Sequence, residues 1–132
     1  MPDESPPATI HNKGLPWTGR FLSGSVAAAF LISGVGKLVG GEQLQEEFEH
    51  LGLSLDFRFP LAVLEVICAV IYAIPATCIL GAILLTGYMG GAICTHWSAG
   101  DPFYIQIAVG VLVWLGVYVR EPRLWSLLPI RR

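Results

Sequence analysis

Residues 60–97, PLAVLEVICAVIYAIPATCILGAILLTGYMGGAICTHW, carry a single formal charge, Glu65. No other stretch limits the fold so tightly. As one helix the run would be about 57 Å long, nearly twice the roughly 30 Å of bilayer hydrocarbon. It must therefore fold back on itself. Pro75 is the natural breakpoint, because its ring removes a backbone donor and clashes with the preceding turn. The pattern predicts a helical hairpin, Pro60–Ile74 followed by Ala76–Trp97, with Pro75-Ala76-Thr77 as the bend.

The rest of the chain extends the same signal. Of 132 residues, 54% are hydrophobic and 14% are charged, against about 25% charged in soluble domains. The apolar residues fall in long blocks rather than amphipathic stripes, which excludes a soluble helical bundle. The length suits one domain. Net charge is −2 and no basic block occurs, so nucleic acid is not an expected partner. Cys68, Cys78 and Cys94 all lie in the apolar hairpin with no C-x-x-C pair. They are expected to be small buried filler.

In order, residues 1–16 hold four prolines and mixed charges and are expected to be a disordered cytoplasmic leader. Residues 17–122 form the membrane domain. Its first span, Trp17–Val39, is bracketed by Arg20 and Lys37 and rich in small residues that let backbones approach. Residues 42–53 place Leu44, Phe48 and Leu51 at helical spacing among glutamates, the pattern of a short amphipathic surface helix. Residues 53–59 alternate apolar and polar and are expected to be extended along the interface. Gly87-x-x-x-Gly91 in the third span has the spacing of a close-packing face. The last span is Phe103–Val119, and residues 123–132 form a basic, Trp-bearing interfacial tail.

Four spans put both termini on one side. Lys13, Arg20, Arg120, Arg123, Arg131 and Arg132 fall there, and only Lys37 and Arg58 fall opposite. The positive-inside rule then places the termini in the cytoplasm. The expected class is all-α: an integral membrane four-helix bundle with short interfacial segments, in contact with the lipid bilayer.

That orientation gathers scattered polar residues at one depth. Lys37 ends span one, Glu65 lies about 8 Å inside span two, His96 ends span three and Gln106 lies one turn into span four. Each helix delivers one polar side chain to the outer half. A carboxylate at that depth must be paired, neutral or facing water. Lys37 and His96 are the available partners. A Lys37–Glu65 pair could fix packing alone. Alternatively, the four could form a pocket for a quinone head group, a proton or a small solute. Asp101 and His50 could join from their loops but are expected to be solvated, and Tyr72 and Tyr88 to be core or interfacial aromatics. Glu65 and His96 show no recognised metal-ligand spacing, so no metal site is expected.

FLISGVGKLVG (30–40), the hairpin (60–97) and GDPFYIQIAVGVLVWLGVYVREPRL (100–124) together resemble the DoxX-like family of small four-helix membrane proteins. The S-G-x-x-K-L element, the glutamate of the second span and the histidine after the third map onto Lys37, Glu65 and His96. The resemblance implies an inner-membrane location, and association with a quinone-linked oxidoreductase. A non-catalytic solute carrier working as a homo-oligomer and a structural assembly protein remain the alternatives. No residue is assigned a catalytic role by the sequence.

Overall fold

The structure is a computed structural model that describes residues 14–128. Residues 1–13 of the leader and 129–132 of the tail lie outside the described residues. Five α-helices follow in order: α1 Gly14–Val39, α2 Glu42–His50, α3 Arg58–Ala73, α4 Cys78–Ala99 and α5 Tyr104–Arg120. Short 3₁₀ turns cover Leu55–Phe57, Pro75–Thr77 and Pro122–Ser126. No strand occurs among the described residues.

The hairpin breaks where proline chemistry requires. Ile74 is pushed to an extended conformation, ψ 123°, as the residue before Pro75. The 3₁₀ turn follows, and the Thr77 hydroxyl donates to the Ile71 carbonyl at 2.8 Å. Helix α1 begins at Gly14, since Pro16 is tolerated in a first turn whose N–H groups have no intrahelical partner, and its apolar span is Trp17–Val39 as expected. One region differs from expectation. The stretch 53–59 is not extended. Ser54 accepts a bond from the Asp56 N–H, which winds Leu55–Phe57 into a 3₁₀ turn leading directly into α3. Local capping prevails there because no partner strand exists to reward an extended chain.

Helix α1 packs on α3 and α5, and α4 packs on the same two, so the four long helices form a closed ring with α1 and α4 on a diagonal. Close approaches between α1–α3 on one side and α4–α5 on the other concentrate at the end where α1 begins and α5 finishes, called here the terminal end. A Cβ on Gly19 would strike the backbone of Arg120, and one on Gly116 would strike Ser23 and Tyr72. One on Gly81 would strike the backbone of Tyr72. Tyr72, Leu85, Val113, Val117 and Ser23 are fully buried there, and the Tyr72 hydroxyl donates to the Val113 carbonyl at 2.9 Å. At the opposite end the close approach lies within one pair instead: Gly34 of α1 sits against Ala62 and Val66 of α3.

The two pairs are thus joined at the terminal end and splayed at the other. Gly87 and Gly91, expected to pack closely, have open space where a Cβ would stand. They line the gap between the pairs rather than a helix contact. Cys68 and Cys78 are buried as filler, whereas Cys94 is exposed. The outside of the bundle is apolar, with Phe21, Ile32, Ile67, Ile83 and Ile105 all exposed. Trp17–Val39 and Pro75–Ala99 are long and apolar enough to cross a membrane, and Tyr104–Arg120 is a shorter apolar helix.

Candidate functional site

The splay leaves a cleft of about 1560 Å³ between the helix pairs. Along α1 its wall runs from Lys37 down to Leu22, roughly 22 Å of helix. Helix α2 roofs it, with Phe48 buried beneath and Glu47 and Leu51 on the rim. The floor is the packed terminal-end core.

All four residues singled out from sequence line this cleft. Two of them meet. Lys37 Nζ lies 2.7 Å from Glu65 Oε2 and donates also to Ser33 Oγ at 2.7 Å. Ser33 stands one turn before Lys37 on α1, so the helix itself aims both groups at α3. The glutamate side chain is only 3% exposed and that of Lys37 18%. At that burial the ammonium is the group that makes the charged carboxylate tolerable. Gln106, in the first turn of α5, lines the cleft with its Oε1 buried and without a hydrogen-bond partner.

His96 lines the same cleft but turns to a different acid. Its Nδ1 lies 3.6 Å from Asp101 Oδ2. His50, the last residue of α2, donates through Nε2 to both Asp101 oxygens at 2.9 and 3.0 Å. These two residues are therefore paired, not simply solvated as expected. The cause is local. Gly100 ends α4 in the left-handed region at φ 79°, and the Asp101 N–H folds back onto the His96 carbonyl at 2.9 Å. That cap holds Asp101 beside His96 and within reach of α2. The His50 hydrogen bond holds the Asp101 carboxyl below its ordinary range, partial burial opposes this, and the charges of His50 and His96 lower it further.

Tyr88, expected to be a core or interfacial aromatic, lines the site. It stands beside Glu65 across the cleft and meets Phe30 edge-on at 6.3 Å. The available signal was its place two turns before His96, on the same face of α4. Tyr72, given the same expectation, is a fully buried core residue. Among the described residues no group of three or more His, Cys, Asp or Glu side chains could hold a metal ion.

The arrangement offers a neutral ligand an apolar cleft with polar groups at one end. The charges of Lys37 and Glu65 cancel, the amide of Gln106 is short of a partner, and Tyr88 adds a hydroxyl. Comparison with known proteins places the chain in context. The DoxX-like family profile matches residues 21–118. No curated protein and no solved structure matches the chain.

Proposed function

The chain belongs to the DoxX-like family of small membrane proteins, and from that footing we propose that it spans the cell inner membrane four times with both termini in the cytoplasm. Within it, the cleft serves a membrane oxidoreductase as a quinone-binding subunit. The observation that carries this reading is a blind cleft whose one buried carboxylate, Glu65, is already paired, with Glu42 and Glu47 on its exposed rim. A permeation path would need an opening at the terminal end, and Tyr72, Leu85, Val113 and Val117 fill that end completely. A solute held by the charge of Lys37 or of Glu65 would have to break their pair. A neutral, lipid-soluble molecule bearing oxygen acceptors asks for neither.

The residues fit a quinone head group. Gln106 Oε1 is an orphaned buried acceptor that a hydroxyl of the reduced quinol, not a quinone carbonyl, could satisfy. Lys37 keeps donor capacity beyond its two bonds, since an ammonium has three protons. Bound there, a quinone would accept two electrons and two protons. Glu65, Tyr88 and His96 are the groups of this chain able to hold or pass those protons. The electrons would come from the partner oxidoreductase, since the described residues carry no paired cysteines.

The test is to purify the full chain from its own membrane in mild detergent and assay the extracted lipid for quinone. Roughly equimolar quinone is expected with the native chain, and little with Glu65→Gln or Gln106→Leu in folded protein. Absence of quinone from the native preparation, or equal retention by both variants, would overturn the proposal. In that case the ion pair is left as packing glue between α1 and α3.

A further inference from the structure

The cleft has an open flank that a head-group site does not need. Helices α1 and α5 touch at the terminal end, where Gly19 meets Arg120 and Ser23 meets Gly116. Beyond that contact they part. Ser25 and Ala29 line the cleft and yet are exposed, and so are Ile105 and Leu112 across from them. A residue that both lines a cavity and faces outward marks an opening, so the cleft communicates sideways with whatever surrounds the bundle. The opening has no free polar group on its α1 edge, because the Ser25 hydroxyl is spent on the Phe21 carbonyl at 2.9 Å. By the same criterion α3 and α4 also border an opening, but its α3 edge carries the bulky Leu61 and Leu64 and its α4 edge Leu84 beside Gly87 and Gly91. The α1 edge of the first slot carries instead the small Ser25 and Ala29.

We infer that the slot between α1 and α5 is a subsite for a hydrocarbon chain. The ligand enters sideways from the bilayer, its head comes to rest at the Lys37–Glu65 end, and its chain lies over Ser25 and Ala29 against Val109 and Leu112. This rests on the ligand-binding function proposed above and adds its route and its specificity. Small side chains on α1 set the width of the slot, so a ligand with a chain is distinguished from the same head group without one.

Calorimetric titration of the full chain in nanodiscs tests it, with two probes: a methylated benzoquinone lacking a chain, and the same head group bearing a decyl chain. Both are titrated into the native protein, Ala29→Trp, Ser25→Leu and, as a control on the other flank, Leu84→Trp. Comparing variant with native for each probe cancels partitioning into lipid. Filling the slot is expected to weaken the decyl probe about tenfold, in keeping with the cost of overpacking, and to leave the chainless probe unchanged. Leu84→Trp should change neither. Ser25→Leu carries the same prediction should Ala29→Trp not fold. If slot variants affect both probes equally or neither, or if only Leu84→Trp discriminates, the slot is overturned while the head-group site stands. If the native chain binds neither probe, both fall together.

Discussion

Lys37 Nζ and Glu65 Oε2 lie 2.7 Å apart, tying the last turn of α1 to the middle of α3. The pair joins two helices of the same wall. It does not bridge the cleft, so it can stiffen one side without closing the space. It lies at the end where Gly34 brings α1 against Ala62 and Val66. The close backbone contact and the ion pair therefore hold the same junction.

Removing one partner leaves a buried charge uncompensated. Lys37→Met or Glu65→Gln is expected to destabilise the bundle by about 3–5 kcal/mol, and the double variant should recover most of the loss. Reversible unfolding in detergent, run as a double-mutant cycle, measures the coupling. Additive losses would show that the contact carries no net interaction.

The closed end depends on missing side chains. Gly116→Val would drive methyl groups into Ser23 and Tyr72, and Gly81→Val into the Tyr72 backbone. Each is expected to cost at least about 1–3 kcal/mol, with strain relieved by separating the helix pairs. Gly87→Val meets open space and should leave stability nearly unchanged, which thermal unfolding of the three variants will compare.

The roof helix is latched by His50 and Asp101. Bonding to His50 lowers the Asp101 carboxyl below its ordinary value of 3.8. A depressed carboxyl stabilises in full above the unfolded value and loses that contribution as pH falls through the folded one. Hydrogen exchange of α2 amides should therefore stay flat from about pH 5 down to about 4 once corrected for intrinsic rates, then accelerate in stronger acid. Asp101→Asn should exchange about two- to fivefold faster in that range, the scale of an exposed ion pair. Equal protection in the variant would show that α2 is held by Phe48 alone.

Much of this was legible in the sequence because hydrocarbon leaves few options. Backbone groups without water must form helices, and Pro75 has only one way to interrupt them. Glu65 needed a partner at its depth, and Lys37 was one of two candidates. The splay was not legible. Glycines are spread through every long helix, and nothing local distinguishes Gly81 and Gly116, which face a neighbour's atoms, from Gly87 and Gly91, which face a void. His96 was placed in the right neighbourhood but paired with Asp101, because the Gly100 cap decides that, and a cap is a backbone property. Residues 53–59 misled because a lone strand has nothing to pair with, and the Ser54 cap that winds Leu55–Phe57 into a 3₁₀ turn is a local bond that alternation does not reveal.

Topology can be checked independently. Reporter fusions at residue 132 and ahead of residue 17 should both report cytoplasm, while a reporter inserted at Gly52 should report the opposite side. Termini on different sides would contradict a four-span bundle and the shared depth of its polar groups.

The central claim is that the cleft, and not the lipid-facing exterior, holds a quinone-like molecule with its head at the Lys37–Glu65 end. A benzoquinone with a photoreactive group on the ring, irradiated with the purified chain and mapped by peptide mass spectrometry, addresses this directly. Adducts confined to residues 30–37, 61–65, 88–96 and 105–109, and suppressed by unlabelled quinone, are the predicted result. Labelling spread over Phe21, Ile67, Ile83 and Leu115, with no suppression by competitor, would contradict it.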